Sequence, residues 1–269
     1  MLSLTVTLRT LALAVLISAA APVAAAGEAA CRLELGVVVV PAQVAGIPGD
    51  FILDTATPQT QIHETRAQGE GFAEGPIEAE VRLAGVTLPR NSVAIADLDL
   101  RTWAFETPIA GVIGADVLKD FVVDVSFQPC RVRLSRPADA PAFRVATDLA
   151  ITWISGKPSV RAQVSDGTRA LEGDFAVGTG ADRAVRLDEG LASVAGALKP
   201  EELYLWGNLE PRLEVLSVPG DDLLRTAAGL LKADEAGPLG LLGPGAFGLA
   251  PLRFDFPAGR LRVGPARRR

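Results

Sequence analysis

The sequence predicts an all-β protein built from two similar halves. Its 27 glycines and 19 prolines divide 269 residues into short segments, of the kind that form strands and turns. A hydrophobic segment that ends in Asp-Thr, residues 49–55 (GDFILDT), is closely repeated at residues 173–179 (GDFAVGT). Hydrophobic residues make up 49% of the chain and charged residues 22%, which favours a folded core over disorder.

Each half contains segments whose patterns predict short strands. Residues 32–40 end in a run of valines and are expected to form one strand. Residues 78–96 alternate apolar and polar positions on either side of an Ala-Gly pair, as a hairpin does. A second hairpin is expected from residues 122–127 and 131–134, with a Gln-Pro pair at its turn. Short helices are predicted at residues 115–120 and 221–232.

The two halves can be aligned at a spacing that increases along the chain. Ala-Gln-Val occurs at residues 42–44 and 162–164, and Gly-x-x-Gly occurs at residues 111–114 and 240–243. The spacing between equivalent positions grows from 120 to 124 to 129 residues, which places the insertions in loops, where they are tolerated. The predicted domains are a signal peptide at 1–26, a first lobe at 31–136, a linker at 137–149, a degenerate second lobe at 150–264 and a basic tail at 265–269.

The amino terminus has the pattern of a secretory signal. Arg9 is the only charged residue before Glu28, and an apolar run at 11–17 leads to three alanines at 24–26, which is typical of a cleavage site. A transmembrane anchor is the alternative, but the apolar run is too short for a bilayer. We therefore expect a periplasmic or secreted protein with no membrane span after cleavage. The net charge of −6 argues against nucleic acid as a partner.

The chain contains two cysteines, Cys31 and Cys130. In an oxidising compartment we expect them to form a disulfide. Lipid modification of Cys31 is the alternative, which Glu28 disfavours because the lipid-attachment motif has an apolar residue there. Neither cysteine has a histidine near it in the sequence, which argues against a cysteine nucleophile.

Four segments of the first half carry a resemblance to a known family. They are residues 51–57 (FILDTAT), 81–88 (VRLAGVTL) and 111–116 (GVIGAD), followed by the terminal hairpin. In these segments the chain resembles the retropepsin-like aspartic peptidases in the two-lobed arrangement of pepsin, over residues 32–136 and more weakly over 150–264. The resemblance implies two β-barrel lobes with a deep cleft between them and a few short helices.

The chemistry of that family depends on two aspartates. Each lobe presents an Asp-Thr-Gly loop at the floor of the cleft, and the two carboxylates share one proton because like charges at that distance cannot both ionise. The ionised carboxylate activates a water molecule, and the protonated one polarises the peptide carbonyl. The resemblance places Asp54 at the catalytic position of the first lobe and implies neither a cofactor nor a metal.

Three departures from the family pattern bear on that chemistry. Ala56 stands where the family has glycine, so the amide is kept and a methyl group is added. Gly178 stands at the position of the partner aspartate, in the loop 178–181 (GTGA), and offers no carboxyl group. Glycines at residues 69–75 mark a short stretch where relatives carry a flap over the substrate.

The rest of both active loops is present. The resemblance gives Thr55 and Thr179 a structural role, in which each bonds across to the backbone of the other loop, and Gly180 completes the second loop. Asp174 and Asp182 each lie four residues from the missing aspartate. We expect neither to reach the vacant position.

Two further polar residues have structural interpretations. Asp116 matches a structural position of the family and is expected to bond backbone amides at the start of a short helix. His63 is the only histidine, and the sequence has no cluster of ligand residues around it. We expect a surface residue, neither a metal ligand nor a general base.

Two functions remain open from the sequence. The first is an exported aspartic endopeptidase with one dyad aspartate, Asp54, and weakened or lost activity. The second is a pseudo-peptidase that binds an extended peptide or protein segment in the cleft. A second copy of the first lobe could rebuild a two-aspartate site, but it would displace the chain's own second lobe, so a monomer is expected.

Overall fold

The computed structural model describes residues 26–73, 75–165, 170–187 and 237–265. Within these residues the chain is all-β, as predicted, with three short helices: α1 (Glu64–Gly69), α2 (Asp99–Thr102) and α3 (Ala115–Leu118). The strands are β1 Ala26–Ala30, β2 Arg32–Glu34, β3 Val37–Val44, β4 Ile47–Leu53, β5 Gln61–His63, β6 Ile77–Leu83, β7 Val86–Ala96, β8 Ile109–Ile113, β9 Val122–Phe127, β10 Cys130–Ser135, β11 Thr147–Ala150, β12 Thr152–Ile154, β13 Lys157–Ser165, β14 Ala170–Val177, β15 Val185–Leu187, β16 Gly240–Leu242, β17 Leu252–Asp255 and β18 Arg260–Val263.

Three predicted segments fall wholly or mostly outside the described residues. They are the signal peptide, the helix expected at 221–232 and most of the basic tail. Among the residues that are described, no helix has the length and apolar character needed to cross a membrane.

The first half closes into a barrel. Its strands are hydrogen-bonded in the order β2-β3-β4-β8-β5-β7-β6, and β6 also pairs with β3. β4 runs parallel to β8, and Phe51, Ile52 and Leu53 at its end are almost completely buried. Parallel strands that are covered on both faces have continuous apolar sequences, which accounts for the three apolar residues before Asp54. The barrel therefore presents Asp54 at the end of a buried strand.

The valine-rich segment differs from its prediction. Residues 32–40 form two antiparallel strands, β2 and the start of β3, and not one strand. Leu35 and Gly36 both have positive φ values, 53° and 82°, which make the tight turn of a two-residue hairpin. The hairpin predicted within residues 78–96 is confirmed as β6 and β7, and the closing hairpin is confirmed as β9 and β10.

The second half has a matching strand arrangement. Its sheet has the order β12-β13-β14-β16-β15 among the described residues. β14 runs parallel to β16, as β4 does to β8, and it ends at Val177, immediately before Gly178. Ser155 and Gly156 form the β12–β13 turn with positive φ values, as Leu35 and Gly36 do in the first half.

A six-stranded sheet joins the two halves. Its order is β1-β10-β9-β17-β18-β11, and β9 of the first half is antiparallel to β17 of the second. Asp124 and Arg253 face each other at this junction, with hydrogen bonds of 2.6 and 2.8 Å from the guanidinium to the carboxylate. Each of the six strands carries a charged residue that lies opposite a charged residue of the neighbouring strand. We call these six residues the charge row: Glu28, Arg133, Asp124, Arg253, Arg262 and Asp148.

A disulfide links Cys31 to Cys130, as predicted from the cysteine count. It ties the segment between β1 and β2 to the first residue of β10. Because both sulfur atoms are bonded, Cys31 has no thiol for the alternative of lipid modification. The bond is of the kind that persists in an oxidising compartment.

Candidate active site

The two strand ends β4 and β14 meet through a pair of threonines. The Thr55 hydroxyl donates to the Val177 carbonyl and the Thr179 hydroxyl donates to the Leu53 carbonyl, each at 2.6 Å. Each hydroxyl oxygen also accepts a hydrogen bond from the other threonine's amide, at 3.3 Å. Both threonines are completely buried. This exchange holds Asp54 and Gly178 at the same junction between the halves.

Replacing Thr55 with valine is expected to lower the free energy of unfolding by about 2–3 kcal/mol, because two buried backbone groups lose their partner. Thr55→Ser keeps the hydroxyl and is expected to lose much less. Thr87→Val, at a half-buried position of β7, is the matched control. Urea denaturation of the three variants measures the difference. Equal stability of Thr55→Val and Thr87→Val would show that the threonine exchange contributes nothing.

The Asp54 carboxylate is buried and surrounded by donors. Its Oδ1 accepts from the amides of Ala56 at 2.9 Å and Gly180 at 3.3 Å. Its Oδ2 accepts from the Thr57 hydroxyl at 2.7 Å and from Nη2 of Arg101 at 2.6 Å. A carboxylate has about four lone-pair positions, so these four donors fill them, and the residue is 5% exposed.

Arg101 is the residue that reasoning from sequence missed. It lies in α2, 47 positions after Asp54, and forms an ion pair with it. Its Nη1 also donates to the Thr57 hydroxyl at 3.0 Å, so one guanidinium bonds both members of the Thr57–Asp54 pair. The available signal was that Arg101 is the only basic residue between Arg90 and Lys119, but spacing along the chain did not indicate its partner.

Ala56 and Gly178, two of the departures from the family pattern, lie against each other. A Cβ atom added at Gly178 would lie 2.9 Å from the Ala56 Cβ, 2.9 Å from Leu241 Cδ1 and 3.0 Å from Asp54 Oδ1. The methyl group of Ala56 therefore borders the space that a side chain at 178 would have to enter. An aspartate could not be placed at 178 unless its neighbours moved.

Gly180 is constrained by the same carboxylate. An added Cβ there would lie 2.5 Å from the Cβ of Asp54 and 2.9 Å from Nη2 of Arg101. The absent side chain allows the Gly180 amide to approach Asp54 Oδ1 closely enough to donate. Gly180 thus completes the set of donors around Asp54 from the second half of the chain.

A cleft of about 1060 Å³ opens above the two loops. Its floor includes Asp54, Ala56 and Gly180, and its walls come from both halves. The β2–β3 turn and the β12–β13 turn each pack against the other half of the chain beside the cleft. A Cβ added at Gly36 would lie 3.1 Å from the Asp182 carbonyl oxygen, and one added at Gly156 would lie 3.2 Å from Pro58 Cβ.

The short stretch at residues 69–75, where relatives are expected to carry a flap, does not border this cleft in its described residues. Residues 64–69 form helix α1, and Gly71 and Gly75 have positive φ values in the following turn. None of the described residues between 64 and 76 lines the cleft. The segment that contains α2 borders it instead, through Leu100, Arg101 and Trp103 among others.

The other candidates have structural surroundings. Asp116 accepts from the amide and hydroxyl of Thr60, at 2.9 and 2.7 Å, and from the amide of Val117 at 2.9 Å. It therefore bonds one amide at the start of α3 and also fixes the loop before β5. Asp174 lies within β14, and the exposed Asp182 lines the cleft, but neither is a partner of Asp54.

The prediction of a surface position for His63 is wrong. The residue is buried at the end of β5. Its Nδ1 caps α1 by accepting from the Thr65 amide at 3.3 Å, and its Nε2 lies 3.0 Å from Asp99. The sequence around His63 did not indicate either the cap or the burial. No group of three or more metal-ligating side chains occurs in the described ranges.

Comparisons with known proteins identify the fold. Neither a protein-family model nor a curated protein matches this sequence. An aspartic proteinase from Irpex lacteus matches with a TM-score of 0.51 and 11% identity, over 90% of this chain and 98% of that one. A retropepsin-like aspartic protease from Rickettsia conorii matches over 41% of this chain and 91% of that one, with 18% identity and a TM-score of 0.32. The chain has the pepsin-like fold, as the resemblance implied.

Proposed function

We propose that this chain is an exported, monomeric pseudo-peptidase, which holds an extended peptide or protein segment in its cleft without cutting it. The observation that carries the proposal is the Asp54–Arg101 ion pair beside Gly178. The aspartic mechanism needs one carboxylate that binds and deprotonates water and a second, protonated carboxyl that polarises the carbonyl. Asp54 is engaged by four donors, and Gly178 has no side chain to supply the second group.

Binding of a peptide does not need the two carboxylates. Extended peptides bind through backbone hydrogen bonds and pockets for alternate side chains. The cleft keeps walls from both halves, and the threonine exchange keeps the two loops together. In this proposal Asp54 is a structural carboxylate that positions Arg101, and Ala56, Gly178 and Gly180 shape the contact between the halves.

Export, monomeric state and the division into two lobes belong to the same proposal. The amino-terminal pattern and the disulfide support an oxidising compartment. Each sheet that forms a wall is built from one half of the chain, residues 32–113 or 152–242, which supports lobes at 31–136 and 150–264. The antiparallel pairing of β9 with β17 supports a monomer, because a second copy of the first lobe would have to displace those hydrogen bonds.

A random library of capped decapeptides tests this function. We expect the purified mature chain to retain a subset of the library and to release every retained peptide intact, between pH 3.5 and pH 7, as judged by mass spectrometry. Gln61→Trp places a large ring at the cleft wall and should reduce retention. Gln43→Trp makes the same change in β3, outside the residues that line the cleft, and should not.

Two outcomes would contradict the proposal. Peptide fragments that appear with the wild-type chain and are absent with Asp54→Asn would assign an aspartic peptidase, the competing function. Equal retention by Gln61→Trp and Gln43→Trp would place peptide binding elsewhere on the surface.

A further inference from the structure

The net charge of the side chains that line the cleft is opposite in sign to the net charge of the whole chain. The described residues that line it include four basic side chains, Arg101, Lys157, Arg183 and Arg186, and two acidic ones, Asp54 and Asp182. This is a formal surplus of two positive charges in a protein whose net charge is −6. A concave site of one sign attracts ligands of the other sign and disfavours like-charged ones.

Lys157 and Arg186 are the source of that surplus. Arg101 is paired with Asp54, and Arg183 lies 4.0 Å from Asp182. Lys157 follows the β12–β13 turn and the exposed Arg186 lies in β15, so both belong to the second half. No hydrogen bond or ion pair engages either side chain anywhere in the described part of the chain. Both cations can therefore meet carboxylates of a ligand.

Exposed apolar side chains of the first half form a second part of the lining, which we call the apolar wall. Leu100 is 95% exposed and Trp103 is 81% exposed, and both line the cleft in the segment around α2. Leu35 at the β2–β3 turn adds a third exposed apolar side chain. Large apolar side chains grouped in this way mark a contact surface, and aromatic side chains often dominate the affinity of such surfaces.

We propose that the cleft selects extended peptide segments that carry both carboxylate and apolar side chains. The apolar side chains lie against Leu100 and Trp103, and the carboxylates meet Lys157 and Arg186. This ligand class deepens the proposed function and rests on it. Successive side chains of an extended peptide point to opposite sides, so alternate positions can meet the two walls of the cleft.

Three labelled, capped decapeptides test the selectivity. They share their leucine and glycine positions and differ at three alternate positions, which are all glutamate, all glutamine or all lysine. Fluorescence anisotropy is expected to give an affinity about tenfold higher for the glutamate peptide than for the glutamine peptide, and no detectable binding of the lysine peptide. The preference for glutamate should decrease as salt is raised, because salt screens exposed charges.

Paired variants locate the effect. Lys157→Glu with Arg186→Glu should reverse the order of the peptides. Lys119→Glu with Arg90→Glu makes the same change of charge at exposed positions outside the cleft lining and should leave the order unchanged. Trp103→Ser should weaken the glutamate and glutamine peptides by a similar factor of about ten, whereas Trp153→Ser, at an exposed tryptophan outside the lining, should not.

The outcomes separate the ligand class from the proposed function. Equal affinity of the three peptides, with loss on Trp103→Ser, would overturn the charge selectivity and leave a peptide-binding cleft. A preference that survives Lys157→Glu with Arg186→Glu would overturn the assignment to these two cations. Absence of binding by all three peptides would overturn both proposals. The wild-type chain could instead self-associate, with an association that Trp103→Ser abolishes and that no peptide displaces. That result would assign the apolar wall to a second copy of the chain.

Discussion

Replacing Arg101 with leucine is expected to lower the free energy of unfolding by about 3–4 kcal/mol. The substitution leaves the Asp54 carboxylate, which is almost completely buried, without its 2.6 Å partner. Removal of one member of a buried ion pair is costly because the remaining charge is still desolvated. The three other donors to Asp54 remain, so the protein is expected to fold. Arg90→Leu, at an exposed position, should change the stability by less than about 0.5 kcal/mol.

A double-mutant cycle with Asp54→Asn isolates the ion pair. We expect the loss from Arg101→Leu to be smaller by about 2 kcal/mol when asparagine already replaces Asp54, since no buried charge then remains. Urea denaturation of the four proteins gives this coupling energy. Additive effects of the two substitutions would mean that Arg101 stabilises the protein through packing and not through Asp54.

Replacing Arg253 with aspartate is expected to destabilise the protein by about 4–5 kcal/mol. Arg253 is 5% exposed and bonds both oxygens of Asp124 across the junction of the two halves. The substitution removes a partly buried bidentate ion pair and sets two carboxylates against each other. Thermal and urea denaturation are expected to show the loss at neutral pH.

Two controls distinguish the loss of this buried ion pair from the general effect of placing a carboxylate in the sheet. Arg260→Asp changes a more exposed pair with Asp148 in the same sheet and should cost about 1 kcal/mol or less. Exchange of the two charges, Asp124→Arg with Arg253→Asp, should recover at least half of the lost stability. If the exchanged protein is no more stable than Arg253→Asp alone, the charge row does not hold the halves together by opposite charge.

The elements that follow from local patterns could be predicted from the sequence. The hairpins of β6–β7 and β9–β10 have alternating residues and turn residues that are independent of the rest of the fold. The disulfide follows from there being two cysteines in a chain with a signal-like amino terminus. The fold class follows from four short patterns that occur in order, although each pattern alone is common.

The parts that depend on contacts distant in sequence could not be predicted in the same way. The ion pair of Asp54 with Arg101 spans 47 residues, and no local pattern connects them. The contact of His63 Nε2 with Asp99 joins residues of β5 and α2, which no local pattern connects. The split of residues 32–40 into two strands depends on positive φ at Leu35, a conformation that leucine rarely adopts. Ala56 and Gly178 are separate departures in the sequence, and only the three-dimensional structure brings them into contact.

The contact between Ala56 and Gly178 makes an aspartate at 178 costly to introduce as a single substitution. An aspartate at 178 meets the methyl group of Ala56 and the side chain of Leu241. A glycine at 56 by itself opens a gap opposite a residue that has no side chain, and Arg101 would still be bonded to Asp54. Each intermediate sequence is therefore penalised in its own right. Selection for stability alone would therefore keep alanine at 56 and glycine at 178 together.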